Sequence, residues 1–275
     1  MQNQKESAAL RFLYGTALGR LILKPLCMPW ISRLCGRFLD SSVSKPLIRP
    51  FVRRHGIDLS EYAGTEFKSF NEFFSRKIKE GRRPAAPEPS ALIAPCDGLL
   101  SVYRVSEDAV IPVKQSRYTI SSLLGGGASE RYQNGICLVF RLCVDHYHRY
   151  CYIDNGVKGE NVFIPGRLHT VRPVALEKFP VFTQNCREYT AIQTENFGDV
   201  IQMEVGAMLV GRIRNFHGPG SVRRGEEKGM FLYGGSTVIV LLEEGRAHLP
   251  EELYRATADR VETPVRMGQR IGRAP

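Results

Sequence analysis

Two stretches decide the fold: Cys137-Leu-Val-Phe-Arg-Leu-Cys-Val144 and Thr237-Val-Ile-Val-Leu-Leu242. Each is short, rich in β-branched and other apolar residues, and bounded by glycine or polar turn residues, the signature of a buried strand. Val200-Ile-Gln-Met-Glu-Val205 and Met208-Leu-Val-Gly-Arg-Ile213 read the same way. Several such strands separated by turn signals predict a sandwich or barrel from about residue 92 onward. The tail from about residue 247 reads as briefly helical, then irregular.

The chain before residue 90 has a different character. Leu10, Leu13, Tyr14, Ala17, Leu18 and Leu21 follow the spacing of one helix face. Pro25 and Pro29 should break that run, so residues 8–39 are expected as two short amphipathic helices. Residues 58–80, with Phe67, Phe70, Phe73 and Phe74, read as a second helical segment, and 81–90 is a proline-rich connector. The expected class is α+β: N-terminal amphipathic helices, then a β-rich sandwich or barrel-like core, divided as 1–90 and 91–275.

A hydrophobic content of 43% and a charged content of 24% exclude extended disorder. The net charge of +10 is uneven. Residues 1–55 hold ten basic side chains against two acidic ones, Glu6 and Asp40, so most of the excess lies there. A basic, amphipathic start on a near-neutral body fits helices lying in an anionic membrane interface, although a helical cap on the protein's own core has the same pattern. No nucleic-acid motif accompanies the charge, which makes nucleic acid the weaker partner. Seven cysteines without a scaffold spacing or a secretory signal are expected as free thiols in a reducing compartment. Nowhere do 18 apolar residues run without a charge, so a spanning helix is not expected.

Three places carry potential chemistry. In Gly229-Met-Phe-Leu-Tyr-Gly-Gly-Ser-Thr-Val-Ile-Val240, two glycines precede Ser236 and a strand follows. Gly235 lets a neighbouring group approach the backbone closely, although an ordinary turn has the same sequence. Asp97, in Ala94-Pro-Cys-Asp-Gly98, reads either as a common Asp-Gly turn or as a carboxylate orienting a histidine. In Asp145-His-Tyr-His-Arg-Tyr-Cys151, a strand would put His146 and His148 on one side. A histidine there, fixed by Asp97, is placed to deprotonate Ser236. Cys143, His146, His148 and Cys151 as a metal cluster match no common zinc spacing, and no metal is expected.

Taken in order, Phe70-Asn-Glu-Phe-Phe-Ser-Arg76, the Pro-Cys-Asp-Gly turn, the Asp-His-Tyr-His-Arg-Tyr segment, Val205–Ile213 and Lys228-Gly-Met-Phe-Leu-Tyr-Gly-Gly-Ser-Thr237 resemble the phosphatidylserine decarboxylases over about residues 60–242. The resemblance implies that the chain cuts itself between Gly235 and Ser236. It would leave a β chain 1–235 and an α chain 236–275 whose first residue becomes a pyruvoyl group. That cofactor would hold phosphatidylserine as a Schiff base and release carbon dioxide and phosphatidylethanolamine. The resemblance implies catalytic roles for Asp97, His148 and Ser236. It also implies a peripheral enzyme on the cytoplasmic face of the cell membrane, with a homodimer as one form. Much of the family has Asp-Tyr-His-Arg-x-His; here His148 matches the first histidine, Cys151 stands at the second, and His146 replaces the aspartate. Either His148 serves both self-cleavage and decarboxylation, or His146 or His169 shares the work. Two other readings stay open from the residues alone: a serine hydrolase using Asp97, His148 and Ser236, and a non-catalytic anionic-lipid-binding protein.

Overall fold

The computed structural model describes residues 7–113, 116–126, 130–208, 212–232 and 236–275. The N-terminal region is helical, as expected, and it breaks at its prolines, between Leu26 and Pro29, but also once more at Thr16, giving three helices instead of two. Helix α1 (Ala8–Gly15) ends at Thr16, whose hydroxyl accepts from Gly19 N at 2.9 Å and so caps α2 (Ala17–Leu26). The two helices turn so tightly that a Cβ on Gly19 would lie 2.0 Å from the Phe12 carbonyl oxygen. Pro25 sits inside α2, in its last turn, whereas Pro29 opens α3 (Pro29–Asp40) at the first helical position, where its missing N–H costs nothing. Helix α4 spans Ile48–His55 and closes on Gly56 in the left-handed conformation. The expected helix over 58–80 shrinks to a 3₁₀ turn and α5 (Phe70–Phe74), because the phenylalanines pack as a cluster of rings instead of as a stripe.

The strands run, in chain order, as β1 Ala91–Ile93, β2 Gly98–Arg104, β3 Val110–Val113, β4 Ser116–Thr119, β5 Ile136–Leu142, β6 Arg149–Cys151, β7 Gly156–Ile164 and β8 Arg187–Thr194. They continue as β9 Asp199–Val205, β10 Ile213–Asn215, β11 Gly220–Val222, β12 Glu227–Phe231, β13 Ser236–Leu242, β14 Thr263–Val265 and β15 Arg270–Arg273. The large sheet has the order β11-β7-β8-β9-β13-β5-β2-β14, and its pairings are antiparallel. A smaller sheet, β10-β12-β6, lies alongside. The predicted strand 208–213 is represented only by its end in β10; residues 209–211 lie outside the described residues. The tail is not irregular: after a helix at Glu251–Ala258 it adds β14 to the large sheet and pairs β15 with β1.

Both faces of the large sheet are covered. Ile239 and Leu241 of β13 join a core with Cys137, Val139, Met203 and Val205, which the N-terminal helices close through Tyr14, Leu23 and Cys27. Val238, Val240 and Leu242 point the other way, into a core with Leu138, Phe140, Val200, Ile93 and Ile271. Burial on two sides explains why the deciding stretches are unbroken apolar runs and do not alternate. The N-terminal helices are therefore both a cap and a surface. Leu18, Leu21, Trp30, Leu34, Phe38 and Val43 remain exposed on them, Leu21 at 63%. No helix among the described residues is long and apolar enough to cross a membrane.

Candidate active site

Ser236 is the first residue of β13, the strand hydrogen-bonded between β9 and β5. It pairs with Leu142, and the next residue, Thr237, pairs with Val205 on one side and Arg141 on the other. The sheet thus brings the ends of β5 and β9 to the Ser236 position from opposite sides. Ser236 is fully buried, and its hydroxyl has no hydrogen-bond partner among the described residues. A buried, unsatisfied hydroxyl is costly and demands an explanation. Gly235 lies outside the described residues.

His148 lies in the segment that follows β5. Six residues after Leu142, the chain turns through 145–148 and enters β6. His146 and His148 lie in this turn, not on a strand, and they part company. His148 is fully buried; its ring centre lies 4.0 Å from that of Phe74, and its Nδ1 is 2.9 Å from the His146 carbonyl. A carbonyl can only accept, so Nδ1 carries a proton, and in the neutral ring Nε2 is the nitrogen with the basic lone pair. The Phe231 amide donates to the His148 carbonyl at 2.9 Å. The chain thus passes beside His148 at the end of β12, and residues 232–235 alone separate that point from Ser236.

Asp97 is held elsewhere. Arg83 grips its carboxylate with Nε at 2.9 Å and Nη2 at 2.8 Å, and the Met267 amide donates at 2.8 Å. Asp97 makes no hydrogen bond to His148 among the described residues; the carbonyl of His146 occupies the orienting position that a triad reserves for a carboxylate. His146 accepts from the Cys143 amide at 3.1 Å and lines, with Asp97 and Arg83, a cavity of about 430 Å³. Burial lowers the pKa of His146, partly offset by Asp145 and Asp97. Cys151, standing where the sequence pattern has its second histidine, is buried. Its amide donates to Pro95 at 2.8 Å, and burial pushes its thiol up to about 12, too high for it to act as a neutral-pH base. Among the described residues, the His, Cys, Asp and Glu side chains close enough together to share an ion are Cys143, Asp145 and His146; His148 and Cys151 are not among them.

His169 is tied to the end of β9 through Asn185. It is 4% exposed, stacks on Phe179 at 4.7 Å, and its Nδ1 lies 3.4 Å from the Tyr14 hydroxyl and 3.5 Å from Cys27 Sγ. Asn185 ties its carbonyl to that of Gly206, the residue after β9, at 2.8 and 2.7 Å. Burial drives the His169 pKa down to about 4, so the ring is neutral near pH 7.

The sequence profile of the phosphatidylserine decarboxylase family matches residues 70–273. A phosphatidylserine decarboxylase proenzyme 2 from Clostridium acetobutylicum is 42% identical over 98% of this chain and 94% of its own length. Proenzymes from Clostridium botulinum and Ruminiclostridium cellulolyticum are 37% and 38% identical over 96% of the chain. The chain belongs to the phosphatidylserine decarboxylase family.

Within this member of the phosphatidylserine decarboxylase family, two features escape sequence reasoning. The Arg83 clamp on Asp97 joins residues fourteen apart through a proline-rich connector that reads as mere spacer. The other is a fully buried ion pair, Lys228 Nζ to Glu204 at 2.6 Å, on adjoining sheets and bridged by Asn215. Glu204 does leave a trace, as a charge within a largely apolar strand.

Proposed function

We propose that this protein is a phosphatidylserine decarboxylase made active by breaking its own Gly235–Ser236 bond, with Ser236 becoming a pyruvoyl group. The observation that carries this reading is the Ser236 hydroxyl: buried, without a described hydrogen-bond partner, at the head of the central strand. Such a group suits an internal reaction. It suits a hydrolase less well, because the uncut chain offers an external ester no exposed surface of the nucleophile, whereas the adjoining peptide bond is already beside it.

In the proposed cleavage, His148 Nε2 takes the Ser236 hydroxyl proton as Oγ adds to the Gly235 carbonyl carbon. The C–N bond breaks, an ester links Oγ to Gly235, and the freed Ser236 nitrogen takes up the proton. Loss of the Ser236 α-proton expels the Gly235 carboxylate and leaves dehydroalanine, which tautomerises and exchanges its nitrogen for water oxygen, releasing ammonia. The pyruvoyl ketone supplies an electrophile for the substrate amine and an electron sink for the bond to the departing carboxyl. The buried site fits that group, since a ketone needs no hydrogen-bond donor of its own. His148 holds the proton to be moved, Phe74 shields it from water, and the His146 carbonyl fixes its tautomer. His146 and His169 stand as auxiliary candidates, and Asp97 acts through the wall that Arg83 braces. The smaller product, 236–275, stays attached because β13 is hydrogen-bonded to β5 and β9 along its length.

The substrate reaches the site from a membrane. The exposed apolar residues of α2 and α3, beside their basic side chains, support peripheral attachment to an anionic surface, and seven free thiols support the cytoplasmic face. Intact mass spectrometry tests the reading. Wild-type protein should give two chains, the smaller with a blocked, ketone-bearing start, and Ser236→Ala should remain whole. An active wild-type protein of undivided mass would overturn it.

A further inference from the structure

A cavity of about 530 Å³ opens between α3 and the body of the protein, with Ser32, Arg33, Arg37, Phe163, Leu168 and Leu232 among its lining residues. Its position ties it to the site described above. Leu232 directly follows Phe231, whose amide is bonded to His148, and Leu168 directly precedes His169. The cavity thus touches the chain neighbour of His169 and that of Phe231, the backbone partner of His148.

Three of its polar lining residues have no side-chain partner among the described residues. Arg33 and Arg37 lie one helical turn apart on α3, close enough to repel each other. Neither has an ion-pair partner among the described residues, whereas nearby Arg212 is taken by Asp40 at 3.1 Å. The hydroxyl of Ser32 is buried, the residue being 6% exposed, and it too has no hydrogen-bond partner among the described residues. Two solvent-exposed arginines without an acidic partner and a buried, unpartnered hydroxyl, at the mouth of a mostly apolar cavity, suit an anion carried on an apolar body. Beside them, Leu34 and Phe38 of the same helix stand exposed at 61% and 48%, an apolar path outward for hydrocarbon chains.

We propose that this cavity receives the glycerophosphate part of the phospholipid, with Arg33 and Arg37 binding the phosphodiester and Ser32 donating to it. This rests on the decarboxylase reading for the identity of the lipid. In a phosphatidylserine only a few bonds separate the phosphate from the reacting amine, so a phosphate held at α3 points the serine head inward, past Leu232. The arginines then select a phosphodiester-borne serine over the free amino acid.

The test uses the full-length processed protein and monomeric short-chain lipids, which remove any membrane surface from the measurement. Trp30, the sole tryptophan, lies on α3 beside the cavity-lining Pro29 and reports binding by fluorescence. Dihexanoylphosphatidylethanolamine should bind saturably to wild-type protein. The Arg33→Gln/Arg37→Gln variant should bind it about tenfold or more weakly, the loss expected when charge-assisted hydrogen bonds are removed. Ser32→Ala should weaken it about threefold or more. With dihexanoylphosphatidylserine as substrate, the loss should fall on KM, with kcat changed far less.

Equal lipid affinity in the wild type and the arginine variant would overturn the proposal. So would inorganic phosphate displacing the lipid at equal concentration, which would mark a bare anion site. A variant defective only on anionic vesicles and normal with monomeric lipid would do the same, assigning the arginines to surface attraction. Failure of the decarboxylase reading looks different: the wild type itself would show no small fragment and release no carbon dioxide, while the binding comparison stands on its own.

Discussion

His169 offers a quantitative test of how the N-terminal helices are fixed to the sheet. Its ring is sandwiched between Phe179 and the side chains of Tyr14 and Cys27, so protonation would place a charge against apolar groups. Burial, assisted by the charge of Arg167, lowers its pKa to about 4 in the fold, against about 6.5 in an unfolded chain. Because the folded value is the lower one, the unfolded chain binds the extra proton first. The stabilisation is complete above pH ~6.5 and is lost as the pH falls toward 4. The gap corresponds to at most about 3 kcal/mol. The assay is urea unfolding of the uncut Ser236→Ala chain at a series of pH values, with and without His169→Gln. Glutamine removes the titration while every other acid and base stays in place. The variant will be less stable at pH 7 through lost packing, but its decline toward pH 4 should be shallower by about 3 kcal/mol. Parallel declines, within about 1 kcal/mol, would refute the argument and mean that His169 reaches water more freely than its burial suggests.

Further outcomes follow from the same geometry. Lys228→Met strands Glu204 in the core without its cation and should cost about 3–5 kcal/mol, whereas Lys228→Met with Glu204→Leu should recover most of it; thermal melts of the uncut chain distinguish the two. His148→Ala removes the proposed proton acceptor, so self-cleavage should slow by about 10²–10⁴-fold in a time course on denaturing gels, while the melting temperature of the uncut chain reports any structural loss. Leu21→Gln with Leu34→Gln touches only exposed side chains, at 63% and 61%, and should reduce flotation with anionic vesicles about tenfold or more while processing goes to completion. Deleting residues 8–39 is not the equivalent experiment: it also removes Tyr14, Leu23 and Cys27 from the core and should destabilise the whole chain.

The reading of Pro25 shows where local rules stop. The prolines do end α2 and open α3, but a second break comes at Thr16, a capping residue whose effect depends on Gly19 allowing the two helices to touch. The pair His146 and His148 shows the same limit more sharply. Alternation assigned them to one face of a strand, but the segment turns there, sending one histidine to the Asp97 cavity and the other against Phe74.

The sequence by itself determined the class of the fold, the central strand after Ser236, the family, and the basic amphipathic character of the N-terminus. These rest on composition, short-range periodicity and motif order, all of which are local along the chain. Only the tertiary structure decided which partners the candidate residues have: Arg83 for Asp97, Phe74 and a carbonyl for His148, Tyr14 and Cys27 for His169. Hydrogen bonds and desolvation depend on what lies within a few ångströms in space, and residues 14 and 169, or 74 and 148, become neighbours only when the sheet closes and both of its faces are covered.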